Sequence, residues 1–148
     1  MTNCSPGKVV KHHGVSSLEK KQKSLIIDAS NKNDIQKILG NPSTKSKFDN
    51  DVWIYIERKQ TQSKLNNFGQ MKIFKNDILV LEIDDYGILK KKDFYNQNDM
   101  NKIKVVKGVT ESKFSKNSFI YDFLSSMRQK INDPLGVRAK KRKEISQR

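Results

Sequence analysis

Cysteine, histidine, tryptophan and proline are all scarce in this 148-residue chain: one Cys, two His, one Trp and three Pro. A lone Cys4 excludes an internal disulfide and a cysteine-based zinc site, which needs several spaced ligands. His12-His13 has no partner ligand elsewhere, so no metal site is expected. The glycines stand singly and form no phosphate-cradling loop. Asp84-Asp85 runs into Tyr86-Gly87, the pattern of a tight turn rather than of an acid/base pair or a calcium loop. No histidine lies near a candidate nucleophile. No enzyme activity, cofactor or small-molecule substrate is therefore expected. No stretch approaches ~18 consecutive apolar residues, which excludes a membrane-spanning helix.

What is abundant is positive charge. The formal net charge is +14, which suits an anionic partner, either nucleic acid or an anionic membrane surface. Lysine, asparagine and isoleucine are enriched together, as an AT-rich genome would encode, and that accounts for many scattered lysines. It accounts less well for the cluster Arg138-Ala-Lys-Lys-Arg-Lys143. Hydrophobic residues make up only 34%, so the core is small: a centre of roughly 80–100 residues with tails.

Residues 1–15 have no clear period and read as a linker. Ser16-Ser-Leu-Glu19 reads as a capping box, opening a helix over 17–27 with Leu18, Gln22, Leu25 and Ile26 on one face. Asn31 caps a second helix, with Asp34 in its first turn and a stripe of Ile35, Ile38 and Leu39. Gly40 and Pro42 end it. Val52–Arg58 is β-branched and aromatic, so it predicts a strand. A polar stretch over 60–70 reads as a loop. Residues 71–75 lead into a strand over 78–83, a turn at 84–87, and a third strand over 88–95 whose lysines 90–92 mark a solvated or edge strand. A polar connector, 97–117, precedes an amphipathic helix over 118–131, ended by Pro134 and Gly136. The basic end of the chain is predicted to be disordered.

Several of these segments resemble, in order, the BamE (SmpA/OmlA) family of outer-membrane assembly lipoproteins. Cys4 is similar to the family's lipidated cysteine, and His13-Gly14 to its Gln-Gly pair. Ile38-Leu-Gly-Asn-Pro42 is similar to Leu-Gly-x-Pro, and Trp53-Ile-Tyr55 to the aromatic strand. Leu81-Glu-Ile-Asp84 with Gly87-Ile88 is similar to the closing hairpin. One departure is Ala29-Ser30-Asn31 in place of Gly-x-Thr, where Asn31 can still cap.

The resemblance implies an α+β fold, two N-terminal helices packed on a three-stranded antiparallel β-meander; outside that common core the residues add an extra C-terminal helix and a basic tail. The expected division is 1–15 lipoprotein-type linker, 16–96 BamE-like domain, 97–117 connector, 118–133 amphipathic helix and 134–148 tail. It implies a non-enzymatic accessory scaffold of the β-barrel assembly machinery at the periplasmic face of the outer membrane. Its partners would be the barrel subunit, partner lipoproteins and anionic phospholipid. Cys4 alone reads either as incidental or as a lipidation site; the resemblance implies lipidation, with the apolar signal upstream of Met1.

On the strand at 52–58, Trp53 and Tyr55 are expected to face the helices. Ile54, Ile56 and Arg58 then share the opposite face. An arginine beside exposed isoleucines can meet a phosphate head group and an apolar surface together, which makes these three the candidate partner and lipid site. In the competing arrangement, helix 118–131 covers that face. The alternative function is a small basic cytoplasmic nucleic-acid-binding protein. It is disfavoured because Trp53 and Tyr55 alternate with aliphatics and are not set among basic residues as stacking platforms are.

Overall fold

The aromatic strand is longer than its apolar run. It spans Asp51–Gln62 (β3) and organises the sheet in a computed structural model that describes residues 10–62, 71–102 and 116–132. Met71–Ile83 (β4) pairs along one edge of β3, and Leu89–Tyr95 (β5) pairs with β4, so the expected meander is present. Two further strands share the other edge of β3: Val10–Gly14 (β1) and Thr44–Lys47 (β2). The described sheet is thus five-stranded and antiparallel, in the order β1-β3-β4-β5 with β2 beside β3.

The two extra strands correct the three-stranded expectation, and β1 turns part of the expected linker into sheet. Both are polar, and every residue of β1 is exposed. Polar strands that pair through the backbone leave no alternation of apolar residues to read. β1 ends at Gly14, whose φ is +85°, and a Cβ there would lie 1.9 Å from the Ile56 carbonyl oxygen. Only glycine fits so close a backbone approach.

The first helix, Leu18–Gln22 (α1), is shorter than the periodicity suggests. The expected capping box at Ser16 and Glu19 does not form. Ser17 stands at the N-cap with φ 57° and makes no side-chain cap bond. Instead Glu57 of β3 accepts hydrogen bonds from the Ser17 and Leu18 amides, at 3.1 and 2.9 Å. A tertiary carboxylate has taken the place of the local cap.

Lys32–Leu39 (α2) follows the local rules. Asn31 accepts from the Asn33 and Asp34 amides, and Asp34 accepts from the Asn31 amide in return. Gly40 ends the helix with φ +79° and ψ −156°, outside the left-handed helical region expected for it. At the start of the expected connector, Asn96 and Asp99 form a second such box and open Gln97–Lys102 (α3). The last described helix is Lys116–Asn132 (α4). The basic cluster at 138–143 lies outside the described residues.

The two sheet faces carry two cores. On one face Trp53, Tyr55, Leu79, Leu81, Ile83 and Leu89 pack with Leu18, Leu25, Ile35 and Leu39 from the α1–α2 layer. On the other, Val52, Ile54, Ile56, Ile78 and Val80 pack with Met100 of α3 and Leu124 and Met127 of α4. The period of two along β3 and β4 therefore divides the same strands between separate helical layers.

Candidate partner face

Ile54 and Ile56 share a face with Arg58, as expected, but both isoleucines are buried under α4. The face is covered rather than open. The reason is apolar area: β3 and β4 present five aliphatic side chains there, and α4 carries a complementary stripe of Phe119, Ile120, Phe123, Leu124, Met127 and Ile131. Phe119 also meets Phe48 from the β2–β3 turn, with ring centroids 5.6 Å apart.

Arg58 lies at the polar end of this face. Its Nε donates to Asn76 Oδ1 at 3.0 Å, and its Nη2 donates to Met127 Sδ at 3.0 Å. Asn76, fully buried, donates in turn to Met100 Sδ at 3.2 Å. Among the described residues no carboxylate lies within ion-pair reach of Arg58. Burial draws its pKa down. At the other end of the face, Glu82 is buried and pairs with Lys116 of α4 at 2.6 Å and with Lys91 at 3.8 Å.

The opposite face holds a second charged cluster that pattern reading missed. The Glu57 side chain is 0% exposed. It receives Lys75 at 3.1 Å, Lys59 at 3.4 Å and His12 at 3.6 Å, besides the two α1 amides. Burial alone would raise its pKa, but the Leu18 amide, Lys75 and the Ser17 amide together outweigh it and bring it to about 2. Lys75 also reaches Asp77 at 3.2 Å. The available signal was position: Glu57 continues the period Trp53, Tyr55, so a charged side chain points where the core is.

Trp53 and Tyr55 do face the α1–α2 layer. Lys45 lies over the Trp53 ring at 4.7 Å, and the Tyr55 hydroxyl donates to the Gly40 carbonyl at 3.0 Å. Buried rings offer no stacking platform to a nucleobase. Lysines 90–92 are not a free basic stripe either. Lys90 pairs with Asp28 and Asp84, Lys91 with Asp93 and Glu82, and Lys92 donates to the Gln22 and Leu25 carbonyls. The open apolar surface includes Ile26 and Ile27 after α1, and Tyr86, 92% exposed, at the β4–β5 turn. Among the described residues there is no cluster of potential metal ligands, and no helix is long and apolar enough to cross a membrane. Cys4 lies outside the described residues.

Residues 17–92 match the family described as the outer membrane protein assembly factor BamE domain. Comparison with curated proteins and with solved structures gave no match. The matched stretch runs from the start of α1 to the middle of β5, and it ends before α3 and α4. It takes in the capped α2, its Leu39-Gly-Asn-Pro42 end and the aromatic strand, and it spans more than half of the chain; the chain belongs to the BamE family of outer membrane protein assembly factors.

Proposed function

We propose that this protein is a non-enzymatic outer-membrane lipoprotein that acts as an accessory scaffold of the β-barrel assembly machinery and assists insertion of outer-membrane β-barrel proteins. The carrying observation is the family match over the two-helix, antiparallel-sheet unit at 17–92. On this reading Cys4 is the acylated residue, and the protein sits at the periplasmic face of the outer membrane. It contacts barrel-assembly subunits and anionic phospholipid.

Ile54, Ile56 and Arg58 remain the proposed partner and lipid residues, reached when α4 leaves the sheet. Exposing this face would present aliphatic side chains beside one guanidinium, a combination suited to an apolar surface bearing an anion.

The test is purification of the tagged full-length protein from its native envelope in mild detergent. Mass spectrometry then reads both its N-terminus and its companions. An acylated Cys4 and co-purifying barrel-assembly subunits are expected. A protein recovered from the soluble fraction, with an unmodified N-terminus and none of those subunits, would overturn the reading.

A further inference from the structure

α4 lies wholly outside the family match, yet it covers the sheet face that the matched domain itself leaves apolar. The α1–α2 layer completes its own core on the opposite face without any residue of α4. α4 is thus an added occupant of a surface that the sheet forms independently.

The face is bounded by opposite charges. Val52 is opposite Glu82, and Arg58 is opposite Asn76, so Glu82 and Arg58 sit six residues apart along β3, roughly 20 Å at the rise of a strand. In α4 the residues that meet them are Lys116 and Met127, eleven apart, or roughly 17 Å along a helix. One helix can therefore lie along β3 and address both charges. α4 answers only one of them well. Lys116 gives Glu82 a cation, but Met127 gives Arg58 a thioether, a weak acceptor. The fit is imperfect elsewhere too: the Ser125 hydroxyl is buried with no hydrogen-bond partner among the described residues.

We propose that this face is a docking groove for an amphipathic helix of a partner protein, with a cation toward Glu82 and a carboxylate toward Arg58, and that α4 holds the place until such a helix displaces it. This rests on the scaffold reading above and specifies the partner chemistry of the same face. A carboxylate at the position of Met127 would make a charge-assisted pair with the guanidinium. That gives a partner helix an advantage over α4 that apolar contact alone does not supply. The apolar spacing it must match is that of Ile120, Leu124 and Ile131.

The experiment uses the full chain and fluorescein-labelled peptides copying Lys116–Asn132 with Met127→Glu or Met127→Lys. Leu124→Glu in the full chain opens the groove by placing a charge in the α4 contact. Phe119→Ala is the milder opening variant if Leu124→Glu does not fold, as judged by circular dichroism. The opened chain should bind the Met127→Glu peptide about tenfold more tightly than the Met127→Lys peptide at low salt. The gap should narrow with salt, and Arg58→Gln should erase it. The unaltered chain should bind both peptides more weakly, because α4 competes.

A folded, opened chain that binds neither peptide, or binds both equally, would overturn the proposal. Dimerisation of the opened chain by exchange of α4 would reassign the face to a second copy. Binding to anionic vesicles without peptide selectivity would reassign it to lipid. Failure of the scaffold reading looks different: the opened chain would select the acidic helix while the native protein captured no barrel-assembly subunit.

Discussion

Glu57 is a carboxylate with no exposed side-chain surface, and the groups around it ease its ionisation. Its pKa falls from 4.5 to about 2 because two amides and Lys75 outweigh the cost of burial. A carboxylate whose folded pKa is depressed adds stability above its unfolded pKa and loses it as pH falls through the folded value. The contribution is on the order of 3 kcal/mol, lost between about pH 4.5 and pH 2. Asp77, raised by burial, works in the opposite sense and blunts the slope. Glu57→Gln should therefore lower stability at neutral pH and flatten its dependence on acid. Urea melts from pH 3 to pH 7 measure both effects, and an unchanged slope would remove Glu57 from the acid response. A second expectation at this scale concerns Gly14. Gly14→Ala sets a Cβ against the Ile56 carbonyl in a backbone conformation with positive φ. It should lower the melting temperature by several degrees, on the order of 1–3 kcal/mol for strain of this kind.

At the scale of elements, the two helical layers differ in how they are held. α2 carries its own start signal, so Asn31→Ala should cost about 1 kcal/mol through the lost cap. α1 borrows its cap from β3 and has few residues of its own, so its position depends on the sheet. Trp53 joins the sheet to this layer, and Trp53→Ala should cost about 3–5 kcal/mol. Thermal melts followed by far-ultraviolet circular dichroism would give both values, and a Trp53→Ala protein as stable as its parent would contradict the packing. On the other face, Ile54 is buried under α4. Ile54→Asp places a carboxylate in an apolar cluster and should destabilise the fold, not merely weaken binding. An Ile54→Asp protein that melts like its parent would mean that α4 leaves this face open in solution.

For the whole molecule, the charge of +14 is partly organised into local pairs. Lys32 with Asp51 and Lys116 with Glu82 each join two different elements, and Lys90 pairs with Asp28, which lies between α1 and α2. Of these, the exposed Lys90–Asp28 pair contributes little stability by itself. On the proposed reading, what remains of the positive field would favour an anionic membrane, and the lipid anchor at Cys4 would act beside it. Cys4→Ala should shift the protein from the membrane fraction to the soluble fraction. A substantial residue retained only at low salt would measure the electrostatic part of attachment. Unchanged membrane association at high salt would count against Cys4 as the anchor.

The sequence by itself determined those elements whose signals are local or periodic. Asn31, Asp34, Gly40 and Pro42 bound α2. The alternation at 52–56 assigns Trp53 and Tyr55 to one side and Ile54 and Ile56 to the other. Gly87 closes the β4–β5 turn, with its amide on the Asp84 carbonyl. The order of these pieces also carried the family resemblance. Only the tertiary structure decided β1 and β2, because polar strands pair through the backbone and leave no side-chain period. Only it decided that Glu57 caps α1, because the partners are about forty residues apart. It also decided that α4 covers Ile54 and Ile56 while leaving Arg58 with a thioether. A two-residue period shows that three side chains share a face, but what lies over that face depends on which distant apolar stripe reaches it, and burial of apolar area has no direction along the chain.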